Sequence, residues 1–598
     1  MSLKILQLIF VLLVLIICTG VSQTPVYVSD YADNRPLKIN GIKILRDKVE
    51  KYGLFEIILD LQGKYNNPFD PEEIDINCIF IDPDGNEIKV PAFFYQDYER
   101  KIQNNVEILN PVGKPHFRVR FSPTKVGNYK FYIIAKDKTN NVVKSDLYSF
   151  TSLDSKKSGY IRVSSSDFRY FEFENGDPFI PIGANICWAG GRGTFDYETW
   201  LPEYAKVGCN YFRVWLGPSW TTFAIERSSI REYDLKNSWR LDYLLNYAEK
   251  MGFYIMLCFD SYNELRYRKE EAYGMWESTP HYIQNGGILK EPKEFWSNEE
   301  MQRLYRNKIR YLVSRYGYST NVFAWEFWNE IDIISPSAYI PELVKDWHSK
   351  MSNYLKSVDP WKHLVTTSFS GSSGKPEIDS LSGIDFVQTH IYQGSNYIKY
   401  LIGLFNFKSE YKKPHIVGEF GLDAGGRDPY LDPKGFAIHN AIWTTLLSGY
   451  AGSAMSWWWD NHIHPDNLYF HYKALSDFIS GVNFPKENFK TIESYKFVNT
   501  DRDIRLIGLK GEKNTLIWLY DNNVIYNYKK DIPKILLTGP NFLLKLDNLN
   551  NGTYKVIYWD TYNSKSIKEE IIEVKDNIAN IEVPNFERDI AIRIEFLK

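Results

Sequence analysis

From Pro178 to Trp459 the chain alternates apolar runs of strand length with amphipathic stretches of helix length, and this alternation restricts the fold more than any other feature. Eight runs stand out: Pro178–Asn185, Asn210–Leu216, Phe253–Asp260, Phe323–Ile331, Leu364–Ser368, Asp385–Tyr392, His415–Phe420 and Ala451–Trp459. They are continuous rather than alternating in polarity, as strands covered on both faces must be. Helical patterns fill the gaps. Tyr197–Val207 stops at Gly208, Trp239–Met251 at Gly252 and Glu299–Tyr316 at Gly317, while Tyr339–Val358 closes on Asp359-Pro360. The helix between the fifth and sixth runs is poorly marked. Eight strand–helix units over about 320 residues imply a (β/α)8 TIM barrel with long loops after its strands.

The 598 residues exceed one barrel, and the flanks read differently. Leu54–Leu61, Asp75–Ile81, Phe117–Phe121 and Tyr129–Ala135 are short strands separated by turns, so residues 24–150 read as a β-sandwich. Asp82-Pro-Asp-Gly85 is one such turn: Pro fixes φ and Gly accepts a positive one. Its aspartates lack the ligand spacing of an EF-hand. The polar Ser152–Ser158 is the expected linker to a barrel over 165–480. After Asp477 the helical period fades, and Leu516–Tyr520, Tyr554–Trp559, Ile571–Val574 and Ile590–Ile594 make 500–598 a second β-sandwich.

Residues 1–22 read as a secretory signal, with Lys4, an apolar Ile5–Ile17 broken only by Gln7, and the small-x-small pattern Gly20-Val-Ser22 before Gln23. A lipoprotein anchor at Cys18 competes, and Ile17 just before it counts against that reading. The expectation is a secreted chain, with no later run of 18 apolar residues to hold it in a membrane. A net charge of −3, from 71 basic and 74 acidic residues, sets up no field for nucleic acid. The remaining cysteines, Cys78, Cys187, Cys209 and Cys258, stand singly in apolar contexts and read as buried thiols. No His or Cys spacing suits a metal, no cofactor motif is present, and nothing specifies a protein partner.

Within the fourth run, Asn329-Glu330 follows an aromatic and apolar stretch broken only by Glu326, and Glu419 closes the seventh. Carboxylates in such runs are costly unless paired or used. In a parallel barrel the C-terminal strand ends hold the chemistry, and two acids on two strand ends are what glycoside hydrolysis needs.

With Trp325-Glu-Phe-Trp-Asn-Glu330, Gly418-Glu-Phe-Gly421, Arg213 on the second strand, His390-Ile-Tyr392 on the sixth and the tryptophans of the eighth, residues 165–470 resemble the clan A glycoside hydrolases, most closely the cellulase-like family 5. The front sandwich resembles the Ig-like module that precedes such barrels, and the tail, with Tyr558–Asn563, the small sandwich that follows them. The resemblance implies a retaining β-glycosidase acting on plant-type poly- or oligosaccharide. Glu419 would be the nucleophile, kept ionised by Arg213 and the Tyr392 hydroxyl. Glu330 would be the acid and then the base, its pKa raised by the charge of Glu419. Asn329 would bond the sugar 2-hydroxyl, and His390 a sugar hydroxyl or Glu330. Glu326 would be a structural partner of Arg213. Strand alternation places Trp457 and Trp459 on one face, where one would floor the cleaved sugar. Trp188, Trp215, Trp220 and Trp276 would line outer subsites. Tyr262 stands where family 5 usually has a histidine, which loosens the assignment to that family and leaves the clan intact. The alternatives are a transglycosylase using the same acids, or a non-catalytic carbohydrate-binding or adhesion protein on an inactive barrel.

Overall fold

A computed structural model describes residues 27–528 and 541–598. The signal read at 1–22, including Cys18, lies outside the described residues. Cys78, Cys187, Cys209 and Cys258 are free and buried. Among the described residues no helix is long and apolar enough to cross a membrane.

The central strands are β1 (Gly183–Asn185), β2 (Tyr211–Trp215), β3 (Tyr254–Ser261), β4 (Val322–Asn329), β5 (Leu364–Thr366), β6 (Val387–Tyr392) and β7 (His415–Gly421). β1 to β5 pair in parallel in chain order, as do β6 and β7. Hydrogen bonds from Asp385 N to Val365 O and from Thr366 Oγ1 to Phe386 O join the two groups. Ser456 bridges to both Phe420 and Ala184 and closes the ring. Every residue of β4 is buried, which an apolar run allows, and its two polar members, Glu326 and Asn329, are there only because they are hydrogen-bonded. Gly183 is dictated by the β1–β2 pairing, since a Cβ there would sit 1.7 Å from the Tyr211 carbonyl oxygen. Around the strands pack α1 (Thr194–Lys206), α2 (Leu235–Met251), α3 (Glu299–Tyr316), α4 (Pro341–Val358), α5 (Tyr397–Lys408), α6 (Phe436–Ser448) and α7 (Phe470–Ile479). α2 shows local logic at both ends: the Asp234 side chain accepts from Asn237 N, and Gly252 takes the left-handed C-cap. Between β5 and β6 only Pro376–Asp379 is helical, which is why no pattern marked that interval.

Two expected strands differ. Pro178–Asn185 is split: Pro178–Phe179 pairs with Phe171–Phe173, which pairs with Ile161–Val163, and only Gly183–Asn185 enters the barrel. Pro181, without an N–H, separates the pieces. The small three-stranded sheet puts Ile161, Phe171 and Phe179 against Tyr211, Met256, Phe323 and Phe386, filling one end of the barrel. The eighth run is not a regular strand to Trp459. It touches its neighbours through Met455, Ser456 and Trp457 and then turns into a single π-helical turn, Trp459–Ile463.

Before the barrel, one sheet runs in the order Asp33–Ile44, Phe55–Tyr65, Val106–Phe121, Phe93–Gln103. A second runs Lys48–Glu50, Tyr148–Leu153, Gly127–Asp137, Ile74–Ile81, Glu87–Pro91. Phe55, Phe80, Phe121, Phe131 and Phe150 form their shared core, with Phe55 stacked on Phe150 at 3.8 Å. After the barrel, a six-stranded sheet centred on Asn514–Asp521 and Asp589–Phe596 faces a three-stranded one of Tyr495–Val498, Phe542–Asp547 and Ile578–Val583.

Buried ion pairs hold the first sheets to the barrel. Asp242 on α2 accepts from Arg315 of α3 at 2.6 Å and from Arg120 of the strand Val106–Phe121, whose Nε also donates to Glu56 at 2.8 Å. Burial pushes the Asp242 carboxyl up, and the two guanidiniums more than reverse that, holding it below the usual range. Asp242→Ala would leave the buried Arg315 without its carboxylate and Arg120 with Glu56 alone. It is expected to cost about 3–5 kcal/mol in urea unfolding, against a smaller loss for Asp242→Asn; a cost within error of zero for the alanine would show that these pairs do not join the two parts.

Candidate active site

The residues collect at the C-terminal ends of the strands. Arg213 of β2 is fully buried and spends its guanidinium on three acceptors: Glu326 of β4 (Nε to Oε2 2.6 Å, Nη2 to Oε1 2.8 Å), Glu419 of β7 (Nη1 to Oε1 2.6 Å) and Asn329 Oδ1 (2.9 Å). The geometry fits a planar fork rather than an ammonium. Glu326 is thus the structural partner expected for Arg213, and it also accepts from Gln388 Nε2 of β6 at 3.0 Å. The Asn329 amide is turned by Ser261 Oγ, 3.3 Å from its Nδ2.

Glu330 follows β4 in a left-handed conformation, φ 52° and ψ 48°, which costs a non-glycine residue about 1 kcal/mol or more. Its backbone N–H is held by Ser368 Oγ at 3.2 Å. Its carboxylate lies 3.0 Å from His390 Nδ1, which is 3.5 Å from Glu419 Oε1. Donor atoms of Glu330, His390 and Glu419 all fall within 4.8 Å of one another. Tyr392 donates to Glu419 Oε2 at 2.7 Å.

Burial, and then the nearby Asp332, pushes Glu330 up to about 7. The expected source of this shift was the charge of Glu419; desolvation supplies it instead, because the apolar run that forms β4 also strips water from the acid after it. Glu419 is also raised, by burial first and by Glu330. His390 when protonated, Arg213 and the Tyr392 hydroxyl pull it down, without cancelling the burial. Arg213 and Tyr392 therefore act in the expected direction but are outweighed. Burial also lowers His390 to about 4, so its imidazole is neutral at ordinary pH.

The aromatic residues divide. Trp459 is buried at 1% exposure, packed edge-on to Trp457 and Trp188. The backbone turns into the π-helical turn at this point, so strand alternation no longer sets the face, and Trp457 and Trp459 both pack against Trp188. Trp457 stays half-buried, and so does Trp458, whose indole N–H bonds Asp423 O at 3.1 Å. Trp276 is buried at 1% exposure and lines no surface, and Trp215 is buried also. Trp188 and the exposed Trp220 remain at the rim. Gln388, Ser261 and Ser368 were missed as site-supporting residues. Gln388 was within reach, two residues before His390 on one strand and so on the same face.

Glu330, His390 and Glu419 are also a donor set of the kind that can hold a divalent ion. Arg213 and Tyr392 already occupy both oxygens of Glu419, and a fixed cation 2.6 Å from one ligand opposes a second.

The molecule is thus a parallel β/α barrel with a close carboxylate pair at its mouth. Residues 48–136 match the family described as a domain of unknown function, DUF5060. The chain is 29% identical over 228 residues to the Probable mannan endo-1,4-beta-mannosidase A-2 of Aspergillus terreus, covering 36% of this chain and 52% of that one. It is 33% identical over 155 residues to the Mannan endo-1,4-beta-mannosidase F of Aspergillus clavatus, covering 25% and 32%. The chain spans about half the length, or less, of these curated relatives. A solved candidate glycoside hydrolase from Bacteroides vulgatus superposes with a TM-score of 0.60 at 16% identity, over 92% of this chain and all of that one, and so shares the fold.

Calorimetric titration of the protein with Zn2+ or Mn2+ is expected to show no tight site at Glu330, His390 and Glu419. Sub-micromolar binding abolished by His390→Ala would assign a metal centre there.

Proposed function

We propose that this chain is a secreted retaining β-glycoside hydrolase that cleaves O-glycosidic bonds of plant-type poly- or oligosaccharides. The observation that carries the reading is the pair Glu330 and Glu419, with carboxylate oxygens within 4.8 Å of each other at the ends of β4 and β7. Retaining enzymes hold their carboxyl groups about 5–5.5 Å apart, and inverting ones about 6.5–9.5 Å, to admit a water.

In this reading Glu419 attacks the anomeric carbon while Glu330 gives its proton to the leaving oxygen. The glycosyl ester on Glu419 is then hydrolysed by a water that Glu330 deprotonates. Arg213 holds Glu419 in line, and Tyr392 fixes its other oxygen. Asn329, oriented by Arg213 and Ser261, is placed to bond the sugar 2-hydroxyl. His390 holds Glu330, and Trp457 floors the cleaved sugar. The names of the relatives put mannan first among substrates to test. The flanking sheets are read as β-sandwiches, the front one Ig-like, that carry no catalytic group.

Reducing-sugar release from mannan, β-glucan, xylan and galactan tests the activity; release from none of them, by a folded protein, overturns it. The profile of kcat/KM against pH is expected to fall on the alkaline side near 7, where Glu330 loses the proton it must donate, and on the acid side where Glu419 gains one. An alkaline limb that does not move in Glu330→Gln would belong to another group.

The roles separate on activated substrates. Glu330→Ala and Glu419→Ala are each expected to lose about 10²–10⁴-fold on unactivated glycan. With a nitrophenyl β-glycoside, Glu330→Ala forms the glycosyl-enzyme and stalls, and azide releases the β-glycosyl azide. Glu419→Ala admits azide from the opposite face and yields the α-glycosyl azide. Proton NMR of the two products reads the assignment, and swapped configurations would reverse it.

A further inference from the structure

A continuous row of indoles leads from the acid pair to solvent. The Arg213 guanidinium, bonded to Glu419, lies 5.6 Å from the Trp215 ring. Trp215 meets Trp457 at 5.3 Å, Trp457 meets Trp188 at 5.5 Å, and Trp188 meets Trp220 at 4.9 Å. Burial falls along the row, from Trp215 at 4% exposure to Trp220 at 52%. Half an indole open to water offers a flat apolar face beside a polar N–H, which suits the face of a pyranose ring with its hydroxyls at the edge.

The loop after β1 that carries Trp188 is not free. Ala189 exchanges two hydrogen bonds with Thr222 Oγ1 of the loop that carries Trp220, at 2.9 and 3.0 Å. The other end of the loop is fastened by the front sheets. The strands Phe93–Gln103 and Val106–Phe121 form a hairpin that delivers Glu107, its carboxylate fully buried, to the N-terminus of α1. There it accepts from Thr194 N at 3.1 Å, from Thr194 Oγ1, and from Arg240 Nε at 2.6 Å. Its own N–H donates to Gly191 O at 2.9 Å. A Cβ on Gly193 would lie 2.2 Å from Glu107 Oε2, so that glycine admits the carboxylate. A negative group at a helix start is favoured by the unpaired N–H groups and the dipole.

We infer that Trp188 and Trp220 form a stacking platform for sugar residues on the glycone side of the cleaved bond, and that Glu107 of the front sheet is the positioning residue that holds this platform. The side follows from barrel order. Trp457, Trp188 and Trp220 belong to the segments of positions eight, one and two, across the ring from β4 and β5, where Glu330 is held by Ser368. The general acid stands on the leaving-group side, so the indole row takes the other half of the chain. The assignment of side rests on the retaining-hydrolase reading; the platform and its clamp do not.

The test uses the full chain carrying Glu330→Gln to prevent turnover, and calorimetry with mannohexaose, cellohexaose and xylohexaose and the matching disaccharides. One hexaose is expected to bind more tightly than its disaccharide. Trp220→Ala is expected to weaken that hexaose about tenfold. Glu107→Ala is expected to weaken it to a similar degree, and the double variant no further than either single, because the two act as one unit. Glu107→Gln keeps the acceptor for Thr194 and is expected to recover most of the affinity, which a general loosening of the fold would not allow. Hexaose affinity unchanged in Trp220→Ala overturns the platform, as does a parent that binds no hexaose. Equal weakening of hexaose and disaccharide in both Glu107 variants overturns the clamp. Hexaose binding that depends on Trp220, in a protein that cleaves none of the polysaccharides, supports the platform and overturns the hydrolase reading alone.

Discussion

The site depends on one buried guanidinium. Arg213 is fully enclosed, and removing such a charge from water is tolerable only when carboxylates replace its hydration. Glu326 and Glu419 do so, and Asn329 takes a further N–H. The planar fork therefore fixes, at once, the two strands that carry the acids and the amide beside them. β2, β4 and β7 are distant in sequence, and their strand ends are tied to one group. The fork also limits what substitutes there: lysine would supply the charge without the divergent donors that hold three partners in one plane.

The front sheets enter this scheme through their own buried charges. Arg120 reaches Asp242 on α2, and Glu107 reaches the start of α1. Neither contact touches the acid pair. Both lie on the first two helices, whose preceding loops carry Trp188 and Trp220. At the opposite flank, Asp589 of the last strand accepts from His439 of α6 at 3.1 Å, from Trp518 at 3.0 Å and from Tyr562 at 2.7 Å. Both flanking parts are thus joined to barrel helices by buried carboxylates whose partners, left unpaired, would be costly.

Much of the barrel was legible because continuous apolar runs and helix stops carry the pattern on their own. β4, β7 and the helix Glu299–Tyr316 stand where the sequence puts them. What failed did so at the ends of runs. Pro178–Phe179 has the composition of a barrel strand but pairs below the barrel, a choice made by Pro181 and by tertiary partners that composition does not show. Trp457-Trp-Trp459 reads as a strand by the same rule, yet a π-turn removes the period-two alternation on which the expected faces rested. The positions of Glu330, Glu419, Arg213, His390 and Tyr392 could be named because strand ends converge in a closed barrel. Their supports could not be named. Ser261, Ser368 and Glu107 are ordinary polar residues that matter only through the partner each one meets, and Glu107 comes from a different part of the chain.

The electrostatics of the acid pair follow first from burial. Glu330 has no direct bond to the Arg213 guanidinium, and burial, then Asp332, lifts it to about 7. A second cluster lies behind β3, where Lys308 meets Glu226 at 2.6 Å and Asp260 at 2.7 Å, with Glu264 close by. There burial also lifts Glu226 to about 7. A raised carboxyl pKa is therefore not what distinguishes the two clusters. Lys308 bonds both of its acids, whereas Arg213 bonds Glu419 and leaves Glu330 to His390; the Glu330 side chain keeps 13% of its surface exposed, against 5% for Glu226 and 3% for Asp260. The proton that burial holds on Glu330 is, for that reason, the one that a bound molecule can better reach.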